Sequence, residues 1–557
     1  MNKYHKLYKA LLGKPLSRRE FFTRLGLGAA FGTNLMLGSD ALAKNFSFKQ
    51  RQRSRQGQRM HNRAATKAYK SSRTKHINNG EEKDFNFLFN YSKSLPHNST
   101  TGEVDTKVYE RYLNALEKRD FLALENIATG FRPLENPQAG LVLPLDGMDH
   151  QTMKIPPAPR VDSAENSAEM IELYWQALCR DIPFSDYETD TTVGKAIDEL
   201  NTIGGYTGPT LGGQVTPKSV FRGSYAGDLA GPYISQFLLQ DISFGSHLIQ
   251  QKLSRIYPAG SDSMKTFDDW LFVQQGNNFK NDPTYDSTAR YIRNGRDLAS
   301  YVYEDELFQP YLNATAWMLD KEVRFDSGNP YHRLSATSGY ITFGPKRILV
   351  MVCEVALLAL QAMFFQKWMV HRRQRPEEFG GRIHQHVSGS MNYPMIHDDV
   401  LNSNALADVF SDNGTYFLPQ VYREGSPTHP SYGAGHATVA GACVTILKAF
   451  FDESYPVDDP VVANADGTAL ENYTAGDRNL LTVGGELNKL AANIAIGRNW
   501  AGIHWRSDYV ESLKLGERVA IRMLRMQAMQ YPERHTFNFH RFDGSHVSIE
   551  GRGFAKT

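Results

Sequence analysis

The stretch His429-Pro-Ser-Tyr-Gly-Ala-Gly435-His436-Ala-Thr-Val-Ala-Gly-Ala-Cys443 decides the reading of this chain. A glycine-rich turn runs directly into residues small enough for a closely packed helix. The first turn of such a helix offers unpartnered N–H groups and the positive end of its dipole, and both favour an anion. Gly435 lets the backbone approach that anion, His436 projects from the same turn, and His429 stands at the mouth of the loop. Either histidine alone would read as an ordinary structural group.

Two further clusters flank this one. Downstream, Arg498-Asn-Trp-Ala-Gly-Ile-His504-Trp-Arg-Ser-Asp508 places an arginine at a helix end, then an imidazole, then an acid. That spacing lets Asp508 accept one imidazole N–H and leaves the other nitrogen as a ligand. The plainer reading makes Asp508 a helix cap. Upstream, Lys367-Trp-Met-Val-His-Arg-Arg-Gln-Arg375-Pro376 closes a long apolar segment. On one continuous helix Lys367 and Arg375 differ by roughly 80° about the axis, with Pro376 ending the helix. Arg372, Arg373, Glu377 and Glu378 read as surface charges, and alone this cluster is a solvated helix end. Together the three clusters supply what a doubly charged tetrahedral anion needs: cations, backbone N–H groups and an imidazole able to bond it or move a proton.

At 557 residues the chain can bury a large core. Its net charge of +2 hides a basic arm ahead of an acidic body: 18 Lys/Arg against 2 Asp/Glu in residues 1–80, with the acids in excess thereafter. The body therefore lacks the basic face that nucleic acid requires. Residues 1–43 read as a twin-arginine signal peptide, with Ser17-Arg18-Arg19-Glu20-Phe21-Phe22, an apolar stretch and Ala41-Leu42-Ala43 in order. They imply export to the periplasm or beyond. Residues 44–84 read as a basic disordered arm. The three cysteines, Cys179, Cys353 and Cys443, build neither a disulfide framework nor a thiolate metal site.

Periodicity predicts a mostly helical body, with helices over 105–119, 164–180, 232–241, 244–255, 296–304, 346–374, 436–453, 485–499 and 508–530. The glycine-rich stretch 203–231 is loop, since no strand precedes it and no Gly-Lys-Ser/Thr follows. The apolar run Ile348–Phe365 carries Glu354, so it reads as a core helix and not a membrane span. The body is read in two halves, 85–330 and 331–557; the resemblance set out below implies that the first oligomerises and shapes a funnel and that the second is catalytic.

Lys-x7-Arg-Pro, Gly-His at a helix start and Arg-x5-His-x3-Asp resemble the vanadium-dependent haloperoxidases, whose superfamily includes phosphatases of the PAP2 type. The seven-residue gap and His429 resemble the algal and bacterial bromoperoxidase branch. Phe221-Arg222-Gly223 and Gly231-Pro232-Tyr233-Ile-Ser-Gln-Phe237 extend the likeness over roughly residues 85–545. The resemblance implies an all-α fold with a core of two four-helix bundles, a vanadate cofactor, and homo-oligomers.

By the same resemblance, Lys367, Arg375 and Arg498 bond the equatorial vanadate oxygens and Gly435 donates its N–H. His504 binds vanadium and is oriented by Asp508. His436 bonds the apical oxygen and moves protons, His429 assists beside halide and peroxide, and Phe364 lines the halide pocket. The implied reaction oxidises bromide and iodide with hydrogen peroxide to hypohalous acid, which halogenates small organic nucleophiles. One departure stands out: Ala434 occupies the place where the family has a serine hydroxyl for vanadate. The same pocket would serve a secreted acid phosphatase, with His504 as nucleophile, or a non-catalytic anion-binding protein. The Asp-rich loops at Asp326 and Asp398-Asp399 are candidates for a structural Ca2+.

Overall fold

The computed structural model describes residues 53–63, 65–66, 74–127, 130–144, 149–281 and 283–553. The twin-arginine motif and the Ala-x-Ala site lie outside them. Contacts divide the chain into Met1–Lys70 and Ser71–Thr557. In the first unit, residues 53–63 are helical; all that follows concerns the second.

Eight helices position the site: α1 (Ala164–Cys179), α2 (Gly295–Glu304), α3 (Gln309–Asp320), α4 (Pro345–Phe365), α5 (Pro376–Val387), α6 (Gly435–Phe450), α7 (Val483–Trp500) and α8 (Arg506–Gln527). α6 is the central element, packed against α4, α7 and α8, and every residue from Ala437 to Phe450 is buried. Its small residues have a geometric reason. A Cβ on Gly441 would fall 2.1 Å from the Leu513 carbonyl of α8, and one on Gly516 of α8 would fall 1.9 Å from the Thr438 carbonyl. Two helices crossing this closely require glycine on both sides. α4 turns Ile348, Met351, Val352, Val355, Ala359 and Ala362 into the core at intervals of three and four, while Val350 and Leu357 stay exposed. A second group of helices gathers on α1: Thr191–Leu200, Asp398–Leu401 and Asn404–Asn413. One apolar cluster joins the groups, from Met170 through Met351 and Ile494 to Ile549, and so spans both sides of residue 330.

Among the described residues the strands form three two-stranded antiparallel hairpins: Ile242–Phe244 with His247–Ile249, Val461–Ala463 with Leu470–Asn472, and Arg534–His540 with His546–Arg552.

Several expectations are corrected. No α-helix covers 232–241 or 244–255. Tertiary partners take the N–H groups a helix would need, Asn493 at Ser235 and Glu486 at Gln236, both at 2.8 Å. Gly245, at φ 61°, then folds the next stretch into a hairpin. The helix predicted to 374 ends earlier: a π turn occupies Gln366–His371 and Arg372 turns left-handed at φ 43°. Pro376 ends no helix; it starts α5, with Arg375 as N-cap, the helical position proline tolerates best. Lys367 and Arg375 therefore belong to different elements.

Nor is the arm over 44–84 wholly disordered. Besides the 53–63 helix, His76 Nε2 meets the Gln151 carbonyl at 2.9 Å and Glu82 pairs with Arg372 at 2.6 Å. The acids at its end find partners far along the chain, which no local charge count reveals. Likewise Arg373, Glu377 and Glu378 are not surface charges but at most 2% exposed. The three cysteines are unbridged.

Candidate oxyanion site

Four elements converge on one buried pocket. The π turn after α4 presents Lys367, the N-cap of α5 presents Arg375, the loop into α6 and its first turn bring His429 and His436, and the end of α7, the turn after it and the start of α8 carry Arg498, His504 and Asp508. Lys367 and Arg375 are fully buried. Lys367 Nζ donates to the carbonyls of Pro430 and Ser431, the latter at 2.8 Å. Burial first, then the charge of Arg375, pushes its ammonium well below the usual lysine range.

Arg375 fixes the state of two imidazoles. A guanidinium only donates, so the nitrogens it meets must be acceptors. Nη1 lies 2.9 Å from His504 Nε2 and Nη2 lies 2.9 Å from His429 Nδ1. The proton of neutral His504 is therefore on Nδ1, where Asp508 Oδ2 accepts it at 2.7 Å. His429 Nδ1 also lies 3.2 Å from the Pro430 carbonyl, while Nε2 faces the Glu135 carboxylate 3.4 Å away. Burial first, then Lys367 and Arg375, drives His429 well below the usual histidine range. Burial and Arg375 do the same to His504. Asp508 is held below the usual carboxylate range: burial opposes its ionisation, but Arg373, His504 and Ser431 outweigh it.

The other expected residues lie around this centre with looser ties. Arg498 Nη1 donates to the Val302 carbonyl at 2.7 Å, its guanidinium lies over Tyr422, and its buried Nε has no protein partner. His436 Nε2 is paired with Asp305 Oδ1 at 2.9 Å, while Asp305 Oδ2 stays unpartnered. Gly435 is the first residue of α6, behind Ala434 as an N-cap with no side-chain bond. The first-turn N–H groups thus have no cap competing for them. Ala434 N–H donates to Ser512 Oγ at 2.8 Å. Phe364 packs its ring 5.2 Å from that of His429.

These residues fit a tetrahedral oxyanion bonded through one nitrogen. They provide a neutral imidazole with a lone pair on Nε2, two guanidinium cations, the Lys367 amine and an unpartnered buried guanidinium N–H. Calcium fares otherwise. Asp326 Oδ1 caps the Gly328 N–H at 2.8 Å, Asp398 opens a short helix, and the described residues contain no group of three His, Cys, Asp or Glu able to hold a metal ion. At both loops these carboxylates serve their own chain.

Four participants escaped the sequence reading: Asp305, Glu135, Ser431 and Arg373. The carboxylates Asp305 and Glu135 lie far from their histidines along the chain, so only the fold reveals them. Ser431, inside the first motif, bonds Asp508 Oδ2 through its hydroxyl and was visible in principle.

Comparison with known proteins agrees with the geometry. The family model for the second helical-bundle domain of vanadium chloroperoxidase matches residues 406–532. The chain is 35% identical to the vanadium-dependent bromoperoxidase of Corallina officinalis, over 84% of this chain and 92% of that one. It is 34% identical to that of Ascophyllum nodosum, over 85% and 88%. The homohexameric second vanadate-dependent bromoperoxidase of Ascophyllum nodosum superposes with a TM-score of 0.85 at 27% identity, covering 97% of this chain and 96% of that one. None of these relatives is named a phosphatase. The chain belongs to the vanadium-dependent haloperoxidases, in their bromoperoxidase branch.

Proposed function

We propose that this protein oxidises bromide and iodide with hydrogen peroxide, using vanadate held by Lys367, Arg375, Arg498, the Gly435 N–H and His504 Nε2. The observation that carries the reading is His504: its Nδ1–H donates to Asp508, so Nε2 keeps a lone pair, turned towards the Arg375 guanidinium. Vanadate, when bound, supplies a Lewis-acidic centre that activates peroxide without changing its own oxidation state.

The chain's residues supply the rest. Lys367 and Arg375 stabilise negative charge on oxygen in a water-poor setting, where such charges act strongly. His436, backed by Asp305, and His429, opening towards Glu135, are placed to give and take protons. Halide loses two electrons to peroxide, one proton is consumed, and hypohalous acid and water leave. The hypohalous acid then halogenates electron-rich organic molecules. The expected homo-oligomer draws support from the hexameric relative, and export by the twin-arginine route rests on residues 17–43.

The deciding experiment is peroxide-dependent bromination of a phenolic dye by purified protein, run without vanadate, with orthovanadate, and with vanadate plus excess phosphate. The expected result is activity that needs vanadate and is suppressed by phosphate. Hydrolysis of a phosphate monoester without bromination would overturn the reading.

A further inference from the structure

Arg373 sits between two vanadate-holding residues in sequence but bonds neither Lys367 nor Arg375. Nη1 donates to Asp508 Oδ1 at 2.9 Å and to Ser507 Oγ at 2.8 Å. Nη2 donates to Glu169 Oε2 and Asn166 Oδ1 of α1, both at 2.9 Å. The guanidinium carbon lies over Trp505, 4.6 Å from the ring centroid, and the residue is 2% exposed. Glu169 in turn accepts the Ser507 N–H through its other oxygen. One planar fork therefore ties α1, in the N-terminal half, to the first turn of α8.

The two oxygens of Asp508 have separate duties. Oδ2 receives His504 Nδ1, the Ser431 hydroxyl and the Trp505 N–H. Oδ1 is left to Arg373, the one cationic side chain bonded to Asp508 among the described residues. A carboxylate free at one oxygen can swing and let its imidazole partner turn or change tautomer. A carboxylate pinned at both cannot.

We propose that Arg373, anchored by Glu169 and Asn166, is a positioning residue for His504: by holding Oδ1 of Asp508 it keeps Oδ2 on Nδ1 and so keeps Nε2 a lone pair aimed into the oxyanion pocket. This rests on the reading of His504 as the nitrogen ligand. It explains why a bidentate donor is needed, since a lysine could meet Asp508 or Glu169 but could not bridge both planes. Outer partners that orient a ligating histidine typically matter ten- to a hundredfold in affinity.

The test uses the full-length protein with 15N-labelled histidine. His504 is assigned by comparison with His504→Asn, and Arg373→Lys and Glu169→Gln are measured beside the wild type. The wild type is expected to show His504 protonated on Nδ1. Arg373→Lys is expected to show averaged ring-nitrogen shifts and about tenfold or more weaker binding of inorganic phosphate, with Glu169→Gln intermediate. A merely structural role would lower thermal stability and leave the ring-nitrogen shifts and phosphate affinity within twofold, which would overturn the proposal. Should Arg373→Lys fail to fold, Glu169→Gln decides by the same two readouts. Bromide oxidation by the vanadate-loaded wild type is recorded in parallel. Its absence would defeat the functional reading, while the His504 shifts would still judge Arg373.

Discussion

The two sides of the oxyanion pocket are built by opposite rules. On the His504 side both ring nitrogens and both Asp508 oxygens are taken, and side-chain exposure is 4% or less. On the other side His436 reaches one carboxylate and is 16% exposed, Asp305 keeps an unpartnered oxygen, and His429, though Arg375 holds its Nδ1, is 10% exposed and turns Nε2 to the half-exposed Glu135. A nitrogen that must stay a lone pair calls for the first arrangement. Groups that exchange protons with water call for the second.

Substitutions can break this contrast in order of size. His504→Ala removes the nitrogen ligand, and bromide oxidation is expected to fall to background even at high vanadate. His436→Ala strikes the proton-moving side. Its kcat is expected to drop on the order of 10²- to 10⁴-fold, while phosphate affinity of the cofactor-free protein changes less than tenfold; equal losses in both would erase the distinction between the sides.

A stability test concerns His371, buried in the π turn with Nε2 unpartnered and held down to about 3 by burial, then by Arg372. The unfolded chain takes a proton there below about pH 6.5 and the folded chain refuses it until about pH 3. The stability this neutral ring represents is therefore present above pH 6.5 and lost as pH falls, by roughly 1.4 kcal/mol per unit. His371→Gln should flatten the fall of the urea midpoint between pH 6 and 4 by that slope, and an unchanged slope would contradict it. The smallest effect belongs to Ala434→Ser. A serine N-cap adds about 1 kcal/mol to α6, read as a rise in melting temperature, and because it claims one first-turn N–H its effect on phosphate affinity is expected to stay under tenfold.

The parts of the site that were legible in sequence were the local ones. Oxyanion chemistry demands particular residue types, and the turn into α6 and the His504–Asp508 interval keep them close along the chain. Partners across the fold were not legible. Arg373 looks like Arg372 in a basic run, yet one meets Asp508 and the other Glu82. Asp305 and Glu169 come from elements separately predicted, or nearly so, but nothing local says whom they face. Helix periodicity worked where a buried stripe decides the conformation, as in α4, α6 and α8. It failed at 232–241, where buried side-chain acceptors claimed the backbone of Ser235 and Gln236, and at 244–255, where Gly245 turns a hairpin; it also overlooked the hairpin at 534–552, whose alternating burial is plain once its partner strand is known.

Helix α4 with its π turn has a consequence for how the chain is made. Pro345–His371 is 27 residues of mostly apolar helix, half buried in the finished fold. Its main cover is α6, which ends at Phe450, and α8, which ends at Gln527. At synthesis rates of about 5–20 residues per second, the segment waits roughly 4–16 seconds for the first and longer for the second. During that interval it is a bare greasy rod, open to chaperones and bilayers alike. A secretion route that threads unfolded polypeptide would pass this rod through the membrane bare, whereas one that carries finished proteins would pass it already covered.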